Sequence, residues 1–133
     1  STNRKVFITL TIGNHEAVVN GQSKQLDTAP FIKDNRTFVP FRFLGEAFGA
    51  EVTYQTDPTT KQVKTITYQL EDQRIILTIN QHEAMVNNQK VLLDSPPFIV
   101  NQRTMVPVRF VSEQLKAIVK WDSKKQQILI EKE

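Results

Sequence analysis

An α+β fold made of two copies of one unit, each a mostly antiparallel β-sheet wrapped around one short helix, is predicted by three observations. Residues Ile12 to Tyr54 align without a gap on Ile79 to Trp121 at a constant offset of 67 residues, with 21 identities in 43 positions. Each copy contains segments of alternating apolar and polar residues separated by Asn-containing turns, the pattern of strands and hairpins. Each then carries one stretch, just after a proline, whose apolar residues recur at spacings of three and four, the pattern of a helix.

The first copy can be read in order. Lys5 to Ile12 alternates as a half-buried strand does. Gly13-Asn14 turns the chain, and Glu16 to Asn20 reads as a second strand. Asn20-Gly21 then signals a two-residue hairpin turn, in which both central residues need positive φ. Asn87-Asn88 stands at the matching place, and Asn tolerates that conformation. After Leu26 and Asp27 the segment around Pro30 is irregular, and Asp34-Asn35 turns the chain between PFI and TFVP.

Pro40 suits the first turn of a helix, where its missing N–H is no loss, so helices are expected to begin near Pro40 and Pro107. Phe43, Leu44, Ala47 and Phe48 share a helical face, as do Phe110, Val111 and Leu115 in the second copy. Phe43 and Phe110 are accordingly expected to point inward. Gly49 fits a helix C-terminal cap. Strands Ala50 to Gln55 and Lys64 to Leu70, joined across Asp57-Pro58, complete the first copy; AIVKWD and QQILIEK complete the second.

The repeat divides the chain into residues 1–66 and 67–133. Units of this size bury only a modest fraction of their surface alone. The two are therefore expected to pack as one unit, with the same topology, related by a pseudo-two-fold axis or a translation.

Composition narrows the function. Apolar residues at 39% and charged residues at 23% are ordinary for a globular chain, which argues against disorder. The net charge of +3 is spread among interspersed acidic and basic residues rather than gathered in a run. Weak attraction to anionic polymers follows, but with 8% aromatic residues and no basic stripe, nucleic-acid binding does not. No apolar run approaches the roughly 20 residues of a membrane span. The chain starts without Met and shows no signal-peptide pattern, so a segment excised or processed from a larger protein is expected. With no cysteine, disulfides, zinc-thiolate sites and cysteine nucleophiles are all excluded.

Catalytic patterns are equally sparse. There is no glycine-rich phosphate loop, no G-x-S-x-G elbow and no metalloprotease helix. Asp27 and Asp94 are equivalent by duplication, and nothing makes one an acid and the other a base. His15-Glu16 and His82-Glu83 also match and could form a symmetric metal pair, but duplicated turn residues are the simpler account. Neither a metal nor a cofactor is expected.

The block PFIKDNRTFVPFRFLGEAFGAEVTYQ and its counterpart PPFIVNQRTMVPVRFVSEQLKAIVKWD, each preceded by a hairpin, resemble the copper amine oxidase N-terminal-like domain, or stalk domain. The resemblance covers nearly the whole chain as two tandem copies. It implies a five-stranded antiparallel sheet wrapped around a helix, and a noncatalytic module of secreted or surface proteins of Gram-positive bacteria. The oxidases' reaction domain uses three copper-binding histidines and a cofactor-forming Tyr in an N-Y-[DE] context. This chain has two histidines, and Tyr54 and Tyr68 lie in TYQ contexts, so the catalytic inheritance is not expected here.

Four residues stand out as candidate ligand or partner contacts. Tyr54 and Trp121 match in the two copies, and aromatic rings stack on sugar faces; capping the core is the simpler role. Arg36 and Arg103 follow matching turns, where a guanidinium can satisfy loop carbonyls. Arg42 with Glu46 and Arg109 with Glu113 are helix pairs four residues apart. The expected function is an extracytoplasmic interaction or spacer module of a larger secreted or cell-surface protein, with glycan or cell-wall binding as the alternative. The expected partners are neighbouring domains of the parent protein, a cell-wall polymer or glycan, or a second copy of the chain.

Overall fold

The structure, a computed structural model, describes residues 5–133. The first repeat contributes β1 (Val6–Thr11), β2 (Glu16–Val19), β3 (Gln22–Gln25), β4 (Phe31–Lys33), β5 (Arg36–Pro40), α1 (Phe41–Phe48), β6 (Glu51–Thr56) and β7 (Val63–Leu70). The second follows in the same order with β8 (Gln73–Thr78), β9 (Glu83–Val86), β10 (Gln89–Leu92), β11 (Phe98–Val100), β12 (Arg103–Pro107), α2 (Val108–Gln114), β13 (Ile118–Asp122) and β14 (Gln127–Lys132). The fold is α+β, as its sequence pattern predicts.

Local chemistry fixes the hairpins. Asn20 and Gly21 adopt φ of 51° and 82°, and Asn87 and Asn88 adopt 51° and 68°, the positive values that a twisted two-residue turn demands. Asp34-Asn35 and Asn101-Gln102 form two more such turns. The helices start directly after Pro40 and Pro107. Gly49 ends α1 at φ 76°, its N–H donating to the Glu46 carbonyl while the Ala50 N–H reaches Gly45. At the equivalent place in the second repeat Lys116 takes φ 72° without a glycine, and Ala117 N–H reaches Ser112.

Every five-stranded sheet crosses the repeat boundary. One has the order β13-β14-β1-β2-β3 and the other β6-β7-β8-β9-β10, with all pairs antiparallel. The register is duplicated as well: Ile8 opposes Ile130 across β1 and β14, and their counterparts Ile75 and Tyr68 oppose one another across β8 and β7. A third sheet, β11-β12-β5-β4, joins the repeats through β5 and β12, where Val39 pairs with its own counterpart Val106. A residue facing its own copy is the mark of an isologous contact, so the pseudo-two-fold axis passes through that pair.

One core serves both repeats. Ile8, Leu10, Ile66, Tyr68, Ile75 and Leu77 supply it from the sheets, and Val39 and Val106 from the central pair. On the opposite face of the central sheet, Phe31, Phe38 and Phe98 pack with ring centroids 4.9–6.1 Å apart. The helices turn Leu44, Gly45 and Phe48, and Val108, Val111 and Ser112, toward the interior. Phe43 and Phe110 differ from the inward placement expected of them: they are only half-buried at the helix flank. A two-turn helix offers several adjoining apolar stripes, and the sheet selects the one carrying Gly45 and Ser112, whose small side chains permit close approach.

Tyr68 lies wholly inside, its hydroxyl donating to the Phe41 carbonyl at 2.8 Å. Burial pushes that hydroxyl far above its usual ionisation range.

Candidate functional site

The pseudo-two-fold pairing brings loops of one repeat against the other. The turn Asp34-Asn35 delivers Arg36 to the start of β5, while the loop after β10 carries Asp94 to meet it. Arg36 Nη2 donates to Asp94 Oδ2 at 2.8 Å, and Arg36 Nη1 reaches the Asp34 carbonyl at 3.4 Å. The counterpart pair, Arg103 with Asp27, is looser at 3.6 Å. Both pairs tie one repeat to the other, and both are exposed enough for water to weaken them.

Beside the Arg36 pair runs a groove enclosing about 570 Å³. Its floor is Val108, Val119 and Ile128, and its rim carries Trp121, Leu92 and Ile32. Those rim residues are 42%, 73% and 44% exposed, a concentration of apolar surface that the interior does not use. Polar groups stand between them. Arg109 Nη1 donates to Glu113 Oε2 and to the Val119 carbonyl, each at 3.2 Å, and Asn35 and Ser95 complete the wall.

The matching surface of the first repeat is built differently. Phe41 occupies the position of Val108, and its ring meets Tyr54 edge-on at 5.8 Å. Arg42 does not pair with Glu46 as Arg109 does with Glu113; its guanidinium lies over the Phe41 and Tyr54 rings at 5.5 and 5.6 Å. A ring and a cation therefore pack against Tyr54, which is still 46% exposed, close to the 42% of Trp121.

Of the four residues singled out by sequence, Trp121 and Arg36 line one groove, while Tyr54 and Arg103 lie outside it. Leu92, Ile32 and Asn35 are lining residues that sequence reading did not flag. Their signal was faint: an apolar residue on a short strand has no distinguishing local pattern. Asp94, noted only as a duplicated carboxylate, is the partner of Arg36. His15 and His82 are tied down locally. Their Nδ1 atoms lie 2.9 and 3.1 Å from the carbonyls of Leu26 and Leu93, and because a carbonyl only accepts, Nδ1 carries the proton in each. Among the described residues, no three His, Asp or Glu side chains gather in a way that could hold a metal ion.

The model of the copper amine oxidase N-terminal domain family matches residues 1–63 and again residues 58–130. The chain belongs to the copper amine oxidase N-terminal domain family. The two matches are tandem copies, and they overlap over residues 58–63, most of the β6–β7 loop and the first residue of β7. Copper amine oxidase N-terminal domains are noncatalytic, stalk-like modules. No curated protein and no solved structure matches the chain.

Proposed function

We propose that this chain is a noncatalytic contact module of a larger bacterial protein displayed outside the cytoplasm, where it holds a partner rather than transforming one. The observation carrying this reading is the groove beside Trp121, whose rim concentrates exposed apolar surface on a body whose sheets all join the two repeats. That surface gives contact with a partner a place.

Two measurements test the reading. Antibody against the module should label intact cells of the source bacterium, and the purified module should release no product from amines or chromogenic glycosides. Labelling confined to lysed cells would refute display, and turnover would refute a noncatalytic role.

A further inference from the structure

The groove beside Trp121 is charge-balanced and amphiphilic. We infer that it binds a neutral pyranose oligosaccharide, with the Trp121 ring as the stacking platform. This deepens the contact-module reading and rests on it.

The ring is the first argument. Trp121 lies on the edge strand β13 and is 42% exposed beside an apolar rim, so one part of the indole is fixed by the fold while another is free for a ligand. Pyranose rings present patches of C–H groups flanked by hydroxyls, a pattern that suits a flat aromatic bordered by hydrogen-bonding groups. The groove's volume of about 570 Å³ lies within the roughly 300–1,000 Å³ of small-ligand sites.

Charge is the second argument. The charged lining groups are Arg36, Asp94, Arg109 and Glu113, and they are paired with one another at 2.8 and 3.2 Å. An anionic ligand would have to compete with Asp94 and Glu113 for the two guanidinium groups. A polyol does not, because each guanidinium has five N–H donors and each carboxylate several acceptor sites, leaving capacity for hydroxyls while the pairs stay intact. A peptide strand added to β13 is a poorer fit, since Arg109 already holds the Val119 carbonyl of that edge.

The third argument is internal comparison. The same backbone position is Val108 here and Phe41 in the other repeat, where Phe41 and Arg42 pack against the Tyr54 ring. Tyr54 is 46% exposed and Trp121 42%, so the two surfaces differ in the walls around the ring and not in the exposure of the ring itself.

The test is isothermal titration of the whole chain with hexasaccharides of β-1,4-linked glucose, β-1,4-linked N-acetylglucosamine and α-linked mannose, with polygalacturonate as the anionic comparison. Binding to at least one neutral sugar is expected, with one site per chain and an affinity nearly unchanged by salt. Trp121→Ala should weaken it roughly tenfold or more while leaving the circular dichroism spectrum and melting temperature near those of the parent. Neutral-sugar binding that survives Trp121→Ala would overturn the site. Binding only to polygalacturonate, or to none of the sugars, would overturn the ligand class. The contact-module reading would survive either result, and it fails separately if the cell-labelling or turnover experiments go against it.

Discussion

Gly45→Ala puts a single methyl group where α1 meets its sheet. Glycine in a helix interior is about 1 kcal/mol less favourable than alanine, so helix propensity alone predicts stabilisation. The packing predicts the reverse. A Cβ at residue 45 would overlap Val52 Cγ2 and sit 2.9 Å from Tyr68 Cε1, against ordinary carbon contacts of about 3.5–4.0 Å. Overpacking of a well-filled core costs typically 1–3 kcal/mol, and a clash with two side chains on adjacent strands belongs at the upper end. Subtracting the propensity gain leaves a net loss of about 2 kcal/mol. For a chain of this length that lowers the melting temperature by roughly 6–10 °C, readable by differential scanning calorimetry.

The second repeat shows how the clash is avoided. Ser112 stands where Gly45 does, and Ile130 opposes Val119 as Tyr68 opposes Val52. Ile130 lacks the ring edge that, together with Val52, crowds residue 45. Tyr68→Ile in the Gly45→Ala background should therefore cost less than the sum of the two single changes. An increase in melting temperature for Gly45→Ala, or strict additivity with Tyr68→Ile, would refute this account of helix seating.

Two further outcomes follow from other contacts. Because burial keeps Tyr68 neutral and holds its hydroxyl far above the ordinary phenol range, the folded state keeps a proton that the unfolded state releases; stability is thus fully present below about pH 10 and declines as pH rises beyond it. Urea midpoints across that range should fall more steeply for the parent than for Tyr68→Phe, and identical slopes would show that the phenol is not shielded. The Arg36–Asp94 pair, though only 2.8 Å long, is exposed on both sides, so a double-mutant cycle with Arg36→Ala and Asp94→Ala should give a coupling below about 1 kcal/mol; a coupling of several kcal/mol would make the pair a principal tie between the repeats.

Much of the secondary structure is legible in local chemistry because its determinants are local. Asn20-Gly21, Asn87-Asn88 and Asp34-Asn35 choose their turns by tolerating positive φ, and Pro40 and Pro107 mark where helices start. Strand partners are another matter. Nothing in the alternation of VFITLT says that β1 will lie beside β14 instead of closing on its own repeat, since pairing across the chain depends on the whole set of buried faces. The helix face was legible in outline, since Leu44, Phe48, Val111 and Leu115 are buried, but Phe43 and Phe110 stop half-buried against the core because only the sheet decides which apolar stripe goes deepest. In the site, the matching of Tyr54 with Trp121 suggested equal roles. The decisive difference was one substitution earlier in each block, Phe41 for Val108, whose effect appears only when the ring is seen against Tyr54.

The equivalence of the β7–β8 and β14–β1 pairs has a consequence for how this fold tolerates rewiring. The first pair is linked by the short turn at Glu71-Asp72 and the second is an open seam with Val6 and Lys132 at its mouth, yet the two registers are the same. The place where the backbone is continuous is therefore incidental to the architecture. A circular permutant cut at Glu71-Asp72 and joined across the old ends would keep every strand neighbour, and a single repeat could complete its sheets only with a second molecule. Tandem fusion has turned an association that would depend on protein concentration into one set by a fixed, high effective concentration, so the fold of the joined pair persists at any dilution.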